Sequence, residues 1–213
     1  VIELGMNHPG ETAQLAPIVA PNIAVINNAQ REHQEFMQTV EAVAYEHADI
    51  INSISAGGAI VFPADDEHAH IWRERAQACA IATHEFSIDE SVNASYMARY
   101  ELGLYASTVQ LITPVGQCTT QINIPGVHNV HNALAACTVA VSMGVSLDAI
   151  GKGLANFVPA KGRLQTHHIG EDVILIDDTY NANPDSVLAA IDVLSNAAGP
   201  KILVLGDMGE VGD

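Results

Sequence analysis

The 213-residue sequence predicts an α/β fold: a mostly parallel central sheet carrying a small antiparallel meander, followed by the opening of a second α/β unit. Three observations predict it. Short apolar runs bounded by turn residues alternate with stretches of helical periodicity, as parallel sheets with helical crossovers require. Between residues 93 and 124 the apolar period switches to two. Beyond a connector at 158–163, marked by Pro159 and Gly162, the strand–helix alternation restarts. A composition of 48% hydrophobic and 15% charged residues belongs to a chain that builds a core, not to a disordered one.

Taken in order, residues 1–4, 23–26, 59–62 and 80–83 read as strands. Between the second and third, Phe36, Val40, Val43, Ile51 and Ile54 recur in helical steps, and His47 falls on that same stripe. A histidine there is either satisfied by a partner or part of a site. Residues 96–100, 103–113 and 119–124 form the meander, punctuated by Gly103 and by Pro114 with Gly116. A buried helix over 129–143 ends at Gly144, and Ser146 caps another over 147–157. After the connector come a strand at 172–176, a helix at 184–195 opened by Pro184, and a strand at 202–205 running into Gly206, Gly209 and Gly212.

Charge limits the partners. Against 25 acidic residues stand 8 basic ones, giving a net charge of -17, so the clustered cations needed to grip nucleic acid or an anionic membrane are missing. No apolar run is long enough to span a bilayer. Cys79, Cys118 and Cys137 form no CxxC pair, which fits a reducing compartment, the cytoplasm. Lys152 and Lys161 precede glycine and Lys201 precedes isoleucine, so no phosphate-binding GxxxxGK[ST] loop lies in the sequence.

Several polar groups fall where doubly wound sheets bind ligands. Glu3 sits in the first predicted strand, His8 and Glu11 follow in NHPGE, and His33 lies just beyond the second strand. Glu3 and His33 either converge on one Mg2+- or Mn2+-like ion or are ordinary loop-end residues. Asn129 and Asn132 share a face at a helix start, where an amide serves equally as a cap or as a partner for an adenine edge. In IDDTYNANPDS, Asp177, Asp178, Tyr180, Asn181 and Asn183 exceed what a turn needs, so a binding loop is expected at the sheet edge. Arg163, in the connector, is placed either to contact a phosphate or to stand solvated.

The segments ELGMNHPGE, INNAQREH, GVHNVHNALAA, KGR, DDTYNANPDS and GDMGEVG, in this order, resemble the Mur ligases. Within them the resemblance is to members that add D-alanyl-D-alanine to UDP-N-acetylmuramoyl-tripeptide in peptidoglycan synthesis. It implies an ATP-dependent amide ligase that works in the cytoplasm. Residues 1–162 would be its central ATPase domain and 163–213 the start of a Rossmann-like C-terminal domain. In this family the phosphate loop and a UDP-sugar domain precede the ELG strand, so the chain is expected to be a piece of a longer protein and inactive alone.

The resemblance also implies roles. Glu3 and His33 would hold Mg2+, Asn129 and Asn132 would face adenine, Arg163 would reach the ATP phosphates and Asp178 the ribose. His8, Tyr180, Asn181 and Asn183 would serve substrate binding or domain closure. His47 stands where the family usually carries a carbamylated lysine; imidazole forms no such carbamate, which leaves direct metal binding or hydrogen bonding. Another Mur ligase or a folylpolyglutamate synthetase-like ligase, and a non-catalytic nucleotide-binding module, are the competing readings.

Overall fold

In the computed structural model, which describes residues 1–170 and 173–209, the first half runs α1 (Glu11–Val19), β1 (Ile23–Val25), α2 (Gln34–Met37), α3 (Val40–Ala48), a tight helical turn (Asp49–Ser53), β2 (Ala59–Pro63), α4 (Ala69–Ala78) and β3 (Ala82–Ser87). Then follow β4 (Tyr96–Leu102), β5 (Ser107–Thr113), β6 (Gly116–Ile122), α5 (Val127–Ser142), α6 (Leu147–Ala155), β7 (Gln165–Ile169), β8 (Val173–Asp177) and α7 (Pro184–Ser195). β1 to β6 form one sheet in sequence order, with the first three pairings parallel and the last two antiparallel. The mostly parallel sheet and its meander are therefore as expected, and the meander extends the parallel sheet through β3–β4.

Helices cover both faces, so β2, flanked by β1 and β3, is buried along its whole length and reads as a continuous apolar run. Its side chains alternate between two cores. Val61 joins Phe86, Leu111, Val130 and Leu134 under α5, while Ile60 and Phe62 join Ala44, Ile51 and Trp72 under α3 and α4. The sole tryptophan, Trp72, is fully buried and donates its indole N–H to the Ala44 carbonyl at 2.9 Å. A buried indole needs such a partner.

Local signals placed α5, α6 and α7, whereas α1 and α4 were not expected. Ser146 accepts from the Ala149 N–H and caps α6. α7 begins at Pro184 with a reciprocal capping box between Asn183 and Ser186. The long helical stretch expected across 36–54 is instead broken into α2, α3 and the tight turn: Gln38 has φ +67°, Thr39 is extended, and the Thr39 hydroxyl accepts from the Ala42 N–H.

Three strand expectations need correction. Among the described residues no strand pairs with 1–4 or with 202–205, both of which run as exposed chain. An apolar run becomes a strand only when a neighbour supplies the ladder, and β7, which sequence reasoning missed, pairs with β8 instead. The strand expected at 80–83 is β3 and begins later, at Ala82, because the turn after α4, with Ala80 at φ +54°, takes up its first residues. Asp172 and Gly212 lie outside the described residues.

Candidate active site

A cleft of about 1200 Å³ opens at the carboxyl edge of β1, β2 and β3. Parallel strands bring their carboxyl ends to one edge, and the loops leaving them form its floor. Asn27 and Asn28 come from beyond β1, Asp65 and Asp66 from beyond β2, and Ile88 from beyond β3. The first turns of α5 contribute His128, Asn129, His131 and Asn132; the far wall comes from the connector and the loop into α7.

Glu3, His33, His47, Asn129, Asn132, Arg163, Asp178, Tyr180, Asn181 and Asn183 all line this cleft, although they come from segments scattered along the chain. His8 does not: its ring lies 4.3 Å from that of Phe36, and its Nδ1 is 3.3 Å from Glu11.

The amide cluster is ordered. Asn27 donates to the Asn132 carbonyl oxygen at 2.7 Å, and Asn132 in turn donates to Asn129 at 3.4 Å. Asn129 donates to the Pro125 carbonyl at 2.7 Å, and its amide nitrogen is 2.9 Å from His128 Nε2. An Nε2 that accepts this bond belongs to a neutral ring. Burial also pushes the His128 pKa down, while Asp178 and Asp192 oppose the shift. Gly126 permits the close packing, since a Cβ there would fall 2.5 Å from the His128 ring.

The connector is pinned against the opposite wall. The Tyr180 N–H donates to the Gly162 carbonyl at 3.0 Å, and the Leu164 N–H donates to Asp178 at 3.1 Å. Between these bonds the Arg163 guanidinium sits over the Tyr180 ring, 4.1 Å from its centroid. Gly162 has φ +74°, and a Cβ would lie 2.9 Å from the Tyr180 nitrogen. Asn181 accepts from the Ala182 N–H, and Asn183 is occupied as the cap of α7.

Acidic groups dominate the floor. Asp66 accepts from the Ala29 N–H at 3.0 Å, which ties the loop after β1 to the loop after β2. Asp65 accepts from the buried Ser87 hydroxyl at 2.9 Å. Burial raises the Glu32 pKa, opposed by His33 and reinforced by Asp185. Burial also depresses His131, against the pull of Asp65 and Asp66. His47 is depressed in the same way, opposed by a hydrogen bond with the Asn28 backbone and by Glu46 and Asp66. Its Nδ1 is buried without a hydrogen-bond partner.

Asn27, Glu32, Asp65, Asp66 and His131 are cleft residues that sequence reasoning missed. The adjacent acids after β2 were a legible signal, because an acidic pair just past a buried parallel strand falls at the binding edge.

Comparison with known proteins decides the affiliation. The Mur ligase middle domain matches residues 1–140 and the Mur ligase glutamate ligase domain matches residues 162–213. The chain belongs to the Mur ligase family.

Among curated Mur ligases, the UDP-N-acetylmuramoyl-tripeptide–D-alanyl-D-alanine ligase of Escherichia coli is 35% identical over the whole chain, which covers 46% of that enzyme. The Bacillus subtilis enzyme of the same name is 30% identical, again over the whole chain and 45% of its own length. A crystal structure of MurF from Acinetobacter baumannii superposes with a TM-score of 0.94 at 36% identity, over all of this chain and 46% of that one. The Thermotoga maritima MurF ligase in complex with ADP matches with a TM-score of 0.84 over 97% of this chain and 47% of that one; at 23% identity it shows the shared fold. The chain thus spans about half the length of the curated Mur ligases it matches.

Proposed function

We propose that this chain forms the nucleotide-binding cleft of an ATP-dependent ligase that joins D-alanyl-D-alanine to UDP-N-acetylmuramoyl-tripeptide in peptidoglycan synthesis. The observation that carries the reading is the convergence of Glu3, His33, Asn129, Asn132, Arg163 and Asp178 on one cleft at the carboxyl edge of a parallel sheet. The names of the relatives supply the substrates. Residues 1–162 are assigned to the central domain and 163–213 to the start of the C-terminal one, and the reaction is placed in the cytoplasm. Among the described residues no helix is long and apolar enough to cross a membrane.

On this reading the terminal carboxylate of the peptide takes the γ-phosphoryl group of ATP, leaving ADP. The dipeptide amine then attacks the acyl phosphate, the new amide forms and inorganic phosphate departs. The Asn129 and Asn132 amides present donor and acceptor groups to adenine, and Asp178 stands near the connector for the ribose. Arg163, held over Tyr180, is a cation placed to offset charge on the phosphates. Tyr180, Asn181 and Asn183 form the wall that excludes water as the cleft narrows.

Mg2+ fits the donors present. A cleft with this many carboxylates repels a polyphosphate unless a divalent cation comes with it. Among the described residues no group of three or more His, Cys, Asp or Glu forms a closed cage. Mg2+ retains most of its waters and commonly takes only one or two protein ligands beside phosphate oxygens. Glu3 and His33 would hold it, and His47, neutral through burial, offers a further nitrogen. When bound, the ion neutralises developing phosphate charge.

The test is an end-point assay on the protein carrying this sequence, with ATP, Mg2+, D-alanyl-D-alanine and UDP-N-acetylmuramoyl-tripeptide. Mass spectrometry should show the peptide extended by one D-alanyl-D-alanine unit, with phosphate released in equal amount. Phosphate release driven by another acceptor, with no such product, overturns the reading. Asn132→Ala should weaken nucleotide binding about tenfold, the loss of one well-placed hydrogen bond of about 1.4 kcal/mol.

A further inference from the structure

Arg31, just beyond β1, and Asp185, in the first turn of α7, both line the cleft but belong to opposite walls. The Arg31 backbone N–H donates to Asp185 Oδ2 at 3.1 Å, and Nε lies 3.1 Å from Oδ1 and 3.2 Å from Oδ2. Nη2 donates to Oδ1 as well. This is a fork-like pairing backed by a main-chain bond, between residues 154 apart in sequence. Isolated surface ion pairs contribute little because two long side chains must be ordered for one contact. Here the cost is reduced on both sides. Asp185 is fixed by a capped, proline-initiated helix and favoured by its amino-terminal position. Arg31 is anchored through its own backbone. The pair also holds the Asp185 carboxyl below its usual range, the arginine hydrogen bonds being the largest cause.

We infer that Arg31 and Asp185 are positioning residues: their ion pair latches the α7 wall onto the β1 wall and sets the width of the cleft in which nucleotide binds. The latch itself stands on geometry alone, and only its effect on nucleotide affinity rests on the proposed function. Breaking it leaves the amide cluster and the Arg163–Tyr180 stack in place but lets the walls separate. Asp185→Ala therefore weakens nucleotide binding even though it releases a cation into the cleft. If Arg31 served instead as a phosphate ligand restrained by Asp185, the same substitution would tighten binding.

The experiment uses the protein carrying this sequence, with Cys79 and Cys118 replaced by serine and spin labels on Glu41→Cys and Ala198→Cys, exposed positions on the two sides. The distance distribution from double electron–electron resonance should be narrow in the parent and broad in R31A and in D185A. It should stay close to the parent width in D185E, which keeps an acceptor for the Arg31 main chain and guanidinium at the start of α7. Unchanged distributions in R31A and D185A, or a D185E distribution as broad as theirs, overturn the latch. These distances need no nucleotide, so they are independent of the proposed reaction. With Mg2+ and a methylanthraniloyl derivative of ATP as probe, D185A should bind about three- to tenfold more weakly. Tighter binding by D185A overturns the positioning role.

Discussion

Glu46 offers the sharpest test of how the cleft is supported. It is a carboxylate with 6% of its surface exposed, and it accepts the Gly10 and Thr12 backbone N–H groups at 2.7 Å each. Gly10 is the N-cap of α1 and supplies no side-chain cap, so a residue on α3 does the capping from across the fold. In Glu46→Ala the buried Thr12 donor loses its partner outright and the half-buried Gly10 donor is left to water. Hydrogen bonds to a charged acceptor contribute about 1.5–3 kcal/mol each, and favourable interaction with the helix end about 0.3–1 kcal/mol. Counting the Gly10 bond at half, the expected loss is about 2.5–5.5 kcal/mol, which at this chain length is a fall in Tm of about 5–22 °C. Glu46→Gln keeps one acceptor oxygen but turns an NH2 toward the other donor, so its loss should be about half as large. Urea unfolding followed by Trp72 fluorescence reports directly on this half of the molecule, because that indole is fully buried between β2, α3 and α4. A loss below about 1 kcal/mol for Glu46→Ala, or equal losses for the two variants, would refute the capping argument.

Other outcomes follow from the same reasoning. Trp72→Phe removes the indole donor to Ala44 and leaves a void in a closed core, and should cost about 2–4 kcal/mol by urea unfolding read by circular dichroism. Gly162→Ala forces a left-handed residue against the Tyr180 nitrogen; it should cost about 1–2 kcal/mol and raise protease cleavage in the connector, whereas equal resistance would count against the pinned geometry. His47, His128 and His131 all have pKa values lowered by burial, so below pH 6.5 the unfolded chain takes up protons that the folded chain refuses. Stability should therefore be intact above that pH and fall on acidification, by at most about 1.4 kcal/mol per pH unit for each ring; urea midpoints at pH 7.5 and 5.5 measure it, and a midpoint that rises on acidification would refute it. Arg163→Lys should keep the charge but lose the planar stack on Tyr180, weakening nucleotide binding several-fold in a fluorescence titration.

Elements whose causes are local could be read from the sequence. The amino terminus of α7 was visible because Pro184 opens it, and α6 because Ser146 carries its capping chemistry with it. The meander was legible in its period of two, and β2 in its unbroken apolar run. The binding edge could be anticipated in part: the strand-edge argument brought Glu3 and His33 together, the resemblance added Asn129, Arg163 and Asp178, and all five line one cleft.

Tertiary structure decided whatever depended on a distant partner. Residues 1–4 and 202–205 have the composition of strands, but ladder bonds need a neighbour that composition cannot provide. His8 shares a turn with the predicted site yet packs on Phe36 outside the cleft. Neither Arg31 nor Glu46 was singled out from the sequence; only the fold set Arg31 against Asp185 and turned Glu46 toward the start of α1. A sequence by itself determines periodicity, caps and turns because these are settled within a few residues. Which charge meets which, and which donor is left waiting in the interior, is settled only when long loops close and the low dielectric of the assembled fold makes each unpaired group costly.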